Sequence, residues 1–600
     1  MTRVEMRRWA YFCVAPLVSL ITFHRAFTTW FQSDDFGWMS LPEWLPESGL
    51  VYTLFHPAAQ GQVRVLSERV LWLVFPTVFG LNPVPYRILA FATWIVVLTF
   101  TALIAVRLTG SRMAGMFAAA FLAVNANMTR PLAWSANYNE VMCAALLLAA
   151  FYSRLTNRKL AEWISYLLAF GALETAAVYP VAATLHAVLL DRKKLRSALP
   201  LFIPAALFGL IHVVFIPKAA SPEYGISVDG RIFSTLHEYW RWSVGPTRIS
   251  DFTAALGESG SIATVAIAAA LLMFLAWRGA KRDFIPLFSA GWFVLLLGPG
   301  LLLPNHVMDY ILVPALPGIA WWGADALLRG WRAGTAARIV ATALAGIYVA
   351  GMFYEAALYS EWWRARARGA RAVVEGVQTA KRVHPGSVFL LQGIDDDLYQ
   401  TAIRDNPFEI LGVRANLIDP RNIHADPAEV TRWVIPERRA IRMVDQGTAR
   451  VLAVAGPSMR DVTPIFRAIA VRGDFVDVAD LRSASQLGSG WYEAESRLRW
   501  MGKSATVKLW GPESASQKLR VTGYAPRAVV PASLRFSVNG VEIGTGAVKA
   551  PDQPFAFEFG IPDALVGKDE VELKIEASRT IRPPGDAREL GMAFGTFAIR

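Results

Sequence analysis

Ser33-Asp34-Asp35-Phe36-Gly37-Trp38 follows directly on the first apolar run, residues 9–31, and its reading decides the fold. Two adjacent carboxylates stand where a membrane helix should emerge into water. The next stretch is mixed polar and aromatic, and the chain turns apolar again at residue 84. Such a pair has two readings. Acids cap a membrane helix because they prefer water, or they stand at the mouth of a membrane-embedded site where one of them acts as a base.

Composition widens the picture. The 600 residues are too many for one core, so several domains are expected. Charged residues make up 18% and hydrophobic ones 54%, against about 25% charge in a soluble protein. The deficit lies before residue 360, so the chain divides into a membrane half and a soluble half. The net charge of +12 sits largely in short loops between apolar runs, which is the pattern of membrane topology and excludes a nucleic-acid-binding stripe. Cys13 and Cys143 both fall in apolar runs, so neither a disulfide framework nor a thiolate metal site is supported. The basic N-terminus followed by a long apolar run, without a small-residue cleavage site, reads as an uncleaved signal-anchor.

A spanning helix needs about 20 apolar residues. Candidates lie near 9–31, 84–106, 112–127, 138–154, 160–173, 175–190, 198–217, 261–278, 284–303, 310–328 and 335–357, about eleven in all. The pair at 160–190 is short, and Val70 to Phe79 is short enough to lie in the interface instead. Arg3, Arg7 and Arg8, then Arg107 and Arg112, Arg154 to Lys159, Arg192 to Arg196, Arg278 to Arg282 and Arg329 to Arg338 all fall on one side. That side is the cytoplasm, which puts Asp34, Asp35 and the C-terminal half on the outer side of the membrane. Arg364, Arg366, Arg368 and Arg371 come just after the last span on the outer side. They are expected to ride an amphipathic helix against lipid phosphates, with Trp362 and Trp363 as interfacial anchors.

Beyond residue 360, a helix at 361–383 and buried strands at Ser387 to Leu391 and Arg450 to Ala455 predict a small α/β unit. Alternating runs at Ala505 to Leu509, Lys518 to Thr522, Leu534 to Val538, Phe555 to Phe559 and Val571 to Ile575 predict a β-sandwich, with Asn539-Gly540 as a hairpin turn. The expected fold class is thus a polytopic α-helical membrane protein followed by a small α/β domain and a C-terminal β-sandwich. The expected boundaries are 1–358, 359–484 and 485–600.

The outward ends of the spans carry a biased set of ionisable residues. Asp34 and Asp35 are joined by His24, Arg25, His56, Arg64, Glu68 and Arg69, by Glu140 at the start of the fourth span, by Glu174, and by His306, Asp309 and Tyr310. Carboxylates, His and Arg converging on one face suit an outward cavity for a charged or polyhydroxyl substrate. Each has a plainer role as well. Glu174 is equally suited to a buried structural bond, Asp309 to a helix cap, and Arg64 and Arg69 to lipid headgroups. His186 and His212 fit core packing better than ligation. A divalent metal on Glu and His stays open, because no spacing such as H-x-x-x-H defines one.

The order of motifs resembles a family. The acidic pair is followed by Leu81-Asn82-Pro83-Val84-Pro85-Tyr86-Arg87, then Glu174-Thr175-Ala176-Ala177-Val178-Tyr179-Pro180, and later Asp309-Tyr310-Ile311-Leu312-Val313-Pro314. Over about residues 1–355 this resembles the C-type (GT-C) membrane glycosyltransferases, which include protein mannosyltransferases and aminoarabinose transferases. Members often carry Lys where this chain has Leu173 and Arg where it has Asp309. The resemblance implies an inverting transfer of sugar from a polyprenyl-phosphate donor to a glycan, lipid or protein hydroxyl. Asp34 is then the base and Asp35 the second choice, with Arg25, Arg64, Arg69 and His306 as the pool for the leaving phosphate. Gly490-Trp491-Tyr492, Arg499-Trp500 and Val538-Asn539-Gly540 resemble a sandwich module appended to such enzymes. Core packing is the plainer role for Trp491 and Trp500. Two other classes explain part of the pattern: a transporter or flippase for a lipid-linked or anionic substrate, and a non-catalytic assembly protein that works through its sandwich.

Overall fold

The computed structural model describes residues 3–57, 62–215, 222–248, 257–420, 422–470 and 473–600. The chain is mostly helical up to Val383 and β-rich at its C-terminal end. Among the described residues, four helical stretches are long and apolar enough to cross a membrane: Val84–Thr109, Arg192–Phe215, Glu258–Ala280 and Thr335–Val383. Shorter apolar helices are Cys13–Thr22, Arg112–Ala123 and Ile285–Leu301. The end of the expected 198–217 span lies outside the described residues.

Apolar runs and helices do not coincide one to one, because turns interrupt the runs. The first helix, Arg3–Thr22, gives way to a 3-10 turn at His24–Thr28. The expected 310–328 span opens as a 3-10 turn, Asp309–Leu312, and becomes helical only at Leu316. The two short runs form helices Lys159–Phe170 and Tyr179–Leu189, of 12 and 11 residues. At 1.5 Å per residue these rise about 16–18 Å, far less than a hydrocarbon core of about 30 Å. The Leu71–Phe79 helix buries Leu71 and Trp72 and exposes Val74, Val78 and Phe79. A helix absent from the sequence reading, Arg231–Val244, packs Tyr239 and Trp242 into the core.

The last helix, Thr335–Val383, runs 49 residues without a break from the apolar half into the α/β unit. Its arginines form ion pairs within the protein: Arg364 and Arg368 pair with Glu361, Arg371 with Glu375, and Arg366 with Asp397 at 2.8 Å. Trp363 is not an interfacial anchor. It is 4% exposed and stacks on Trp134 at 5.6 Å. Its position in the helix repeat turns it inward, where sequence spacing beside an exposed Arg had suggested lipid.

The α/β unit is a sheet ordered Ala415–Leu417, Val388–Gln392, Ala449–Ala455 and Ser458–Asp461. The first three strands are parallel and the last antiparallel. The sandwich has one sheet ordered Val541–Val548, Ala532–Val538, Glu570–Ala577 and Ser504–Trp510. Gln553–Gly560, Lys518–Ala525 and Ala593–Ile599 lead its second sheet, where Phe475–Asp477 also pairs. Asn539 and Gly540 both take positive φ, as a two-residue hairpin turn requires. The Trp491 ring meets Phe594 and Phe597, and its N–H donates to the Thr506 carbonyl, so it serves the core.

Candidate active site

The segment around the acidic pair is pinned by Arg87, from the Pro85-Tyr86-Arg87 motif. Its fully buried guanidinium donates to the Thr29 and Trp30 carbonyls and, at 3.0 Å, to Ser135 Oγ. Trp134 adds a hydrogen bond from its indole N–H to the Gln32 carbonyl. The chain then turns at Ser33, whose φ of 51° and ψ of −135° are costly for a residue with a Cβ. The short helix Asp34–Met39 starts there.

This turn separates the two acids. Asp35 is fully buried and accepts from the backbone N–H of Gln32 at 3.3 Å and of Ala136 at 2.8 Å. Burial pushes its carboxyl up to about 7, against the pull of Arg87 and these two donors. Both its oxygens are engaged by backbone. Asp34, the first residue of this helix, is exposed. Protein nevertheless crowds it, as at the wall of a recess that solvent enters. That crowding raises its proton affinity above the ordinary carboxylate value, and Arg130 and Arg404 oppose it.

Two further groups adjoin Asp34. In the first, Arg130 bonds Asp309 at 3.3 Å and lies over the rings of Trp134, Tyr310 and Trp363 at 4.7, 4.8 and 5.4 Å. Asp309 also accepts from the Tyr359 hydroxyl at 2.7 Å and has Arg248 at 3.7 Å. It therefore anchors two arginines and does not act as a plain helix cap. His306 stands between Glu223 (2.8 Å) and the Tyr310 hydroxyl (2.6 Å). His306 and Asp309 have separate partners, and Tyr310 joins the two sets.

In the second group, Arg64 bonds Glu68 at 2.7 Å and Glu174 at 2.9 Å. Burial works against the Arg64 charge, but the two acids outweigh it and hold its proton more tightly than usual. Burial likewise raises Glu174, and Arg64 reverses this, leaving it below the ordinary range. Glu140, 5% exposed, lies within electrostatic reach of Arg64. The two groups meet at Tyr224, which feels Asp34, Arg64 and Arg130 together. Arg64 is thus an interior ion-pair centre and does not meet lipid headgroups.

Arg69 is also withdrawn from lipid. It is fully buried, donates to the His56 carbonyl at 2.9 Å and lies 5.2 Å over Trp38. Arg25 stays apart, half-exposed, bonded to the Ala357 carbonyl and to Glu361. His186 packs against Phe151 and Phe288 as expected of a core residue. Among the described residues, no three His, Cys, Asp or Glu side chains gather at metal-holding spacing.

Sequence reading missed Arg130, Glu223, Arg248, Tyr359, Arg404 and Asp405. Arg130 and Arg248 carried one signal: each is an arginine on the side poor in basic residues. Arg404 and Asp405 carried none, because they belong to the α/β unit.

No protein-family model matches the chain, and no curated protein matches it. Among solved structures it is similar to ArnT from Cupriavidus metallidurans bound to undecaprenyl phosphate, with 15% identity, 78% of this chain and 96% of that one covered, and a TM-score of 0.39. It is similar to the apo state of the same protein at 13% identity, with 80% and 97% covered and a TM-score of 0.41. Arabinosyltransferase EmbB from Mycobacterium smegmatis is similar at 14% identity, with 100% of this chain and 65% of that one covered and a TM-score of 0.26.

Proposed function

We propose that this chain is an inverting membrane glycosyltransferase of the GT-C type. It moves a sugar from a polyprenyl-phosphate donor to a glycan, lipid or protein hydroxyl on the outer side of the bacterial cytoplasmic membrane. In this reading about eleven segments cross or enter the bilayer, with the N-terminus cytoplasmic and the α/β and sandwich parts outside. The observation that carries it is the opposite fate of the two acids. Asp35 is closed off by backbone N–H groups, whereas Asp34 is open to solvent with raised proton affinity and guanidinium groups around it.

The chemistry follows from that arrangement. The acceptor oxygen forms a bond to the anomeric carbon while the carbon–oxygen bond to phosphate breaks. The acceptor's proton passes to Asp34, and the bonding pair leaves with the polyprenyl phosphate. Attack from the face opposite the phosphate inverts the anomeric centre. Arg130 is the cation best suited to the phosphate: it is held in place by three rings and Asp309, and such preorganised charge acts strongly on a leaving group. Arg64, Glu174, Glu140 and the His306–Tyr310 pair offer donors and acceptors to the sugar. An apolar cavity of about 250 Å³, lined by Phe121, Ile267, Leu271, Ile319, Leu344 and Tyr348 among others, suits the lipid chain.

The test uses purified protein in vesicles supplied with polyprenyl-phosphate sugars, alongside mass spectrometry of lipid-linked sugars that co-purify. Transfer is expected from the wild type and not from Asp34→Asn. Transfer surviving both Asp34→Asn and Asp35→Asn would remove the base assignment. A wild type silent with every such donor would favour a transporter or a non-catalytic assembly protein.

A further inference from the structure

The α/β unit reaches the acidic segment directly. Ser33 N–H donates to the Thr401 carbonyl at 2.9 Å, and Ser33 Oγ to the Gln400 carbonyl at 3.0 Å. Both acceptors lie in the helix Asp396–Ala402. The Ser33 hydroxyl, at the N-cap position of the Asp34–Met39 helix, is spent on this junction and makes no side-chain cap bond. The strained turn that aims Asp34 is therefore held by a part of the chain 367 residues away.

The same junction delivers charge. Gly37 lies one helical turn beyond Asp34 on the same face. Asp405 Cβ and Oδ1 each stand 3.8 Å from where a side chain on Gly37 would begin, so the missing side chain leaves that face to the Asp405 carboxylate. Burial and the neighbouring Asp34 push Asp405 up to about 7. Arg404, the preceding residue, is within electrostatic reach of Asp34 and is anchored to Glu429 at 3.3 Å.

We propose that Arg404 and Asp405, both carried by the α/β unit, are positioning residues that share one site with Asp34, a guanidinium and a second carboxyl set beside the same carboxylate. This rests on the transferase reading of Asp34. The α/β unit then completes the active site, and its docking tunes the base. The other charged and titratable groups around Asp34 are Asp35, Arg130, Glu223, Tyr224 and Tyr310. Glu429 faces Arg404, and Glu43 and Glu409 face each other in the same region. None of these changes in the variants below.

The test is the pH profile of transfer for Arg404→Gln together with a titration of Asp405. For Arg404→Gln, removing the opposite charge makes Asp34 hold its proton longer, so the acid limb moves up by about 1 pH unit, and Arg404→Lys returns it toward the wild-type position. For Asp405, the readout is the infrared titration of the carboxyl band that Asp405→Asn removes: it moves down by a similar amount in Asp34→Asn, because the Asp34 charge helps hold that proton. Both displacements support the proposal. A limb unmoved in Arg404→Gln, or an Asp405 band unmoved in Asp34→Asn, overturns it and leaves the junction a structural contact.

Should the wild type transfer nothing, the transferase reading fails separately. The proposal is then read from infrared titration of the carboxyl band that Asp34→Asn removes. That band must shift up in pH in Arg404→Gln, and the band that Asp405→Asn removes must shift down in Asp34→Asn.

Discussion

The two ends of the helical half both bury ion pairs, yet they differ in kind. At the end read as cytoplasmic, Arg154 bonds Glu162 at 3.1 Å, Glu162 accepts from the Tyr179 hydroxyl, and Arg154 donates to the Lys194 carbonyl. Lys194 in turn donates to the Arg154 carbonyl. This is a closed clamp that ties Tyr138–Leu155 to Lys159–Phe170 and to the turn at Arg192–Lys194. At the other end, Asp34, Arg130, Glu223 and Arg64 act on a common space around Tyr224, and Asp34 is open to water. Paired burial serves stability. Shared charge around a solvent-reached acid serves a charged or reacting guest.

The sharpest way to break this comparison is Asp34→Asn. Transfer should fall by about 10²–10⁴-fold with thermal unfolding in detergent unchanged; a large fall in stability would place Asp34 with the clamp instead. Next comes Arg130→Gln, expected to cost about 10²-fold in rate while the donor is still bound. Rates equal to wild type would move the phosphate role elsewhere.

The clamp should behave the other way. Glu162→Gln leaves Arg154 buried without its counter-charge, at a cost of about 3–5 kcal/mol. Calorimetry should show that as a lower Tm, with the activity of surviving protein within a few-fold of wild type. The pH profile sharpens the outer end further. The base works only deprotonated and its proton affinity is raised, so transfer should increase with pH along a limb lying above about 4; a limb at or below that value would contradict the crowding seen at Asp34. The smallest effect is expected from Arg371→Ala. It removes an exposed pair with Glu375, so stability should change by less than about 0.5 kcal/mol and binding to anionic vesicles should not change.

Much of this was legible in the chain. Strands at Ala505 to Leu509, Lys518 to Thr522 and Val571 to Ile575 were readable because alternation marks a half-buried sheet. The acids, His and Arg at the ends of the apolar runs were readable as candidates, because each follows or precedes such a run. Helix ends were less legible. Apolar composition is shared by long helices, short helices and the turns between them, so Asp309–Leu312 and His24–Thr28 looked like parts of spans. Trp363 was misjudged because helix rotation, which sequence spacing near Arg residues does not reveal, decides whether a ring faces lipid or core.

By itself the sequence determined that one half of this protein is apolar helix and the other an α/β unit with a sandwich. It also determined that ionisable groups collect where the apolar runs end. Hydropathy and alternation are local properties, and they survive without knowledge of the fold. Only the tertiary structure decided which of Asp34 and Asp35 is free, since the choice depends on backbone N–H groups from Gln32 and Ala136 and on the turn at Ser33. Only the tertiary structure, likewise, brought Arg404 and Asp405 to Asp34. Electrostatic coupling acts through space, and no local pattern records which distant segment will fold back to supply it.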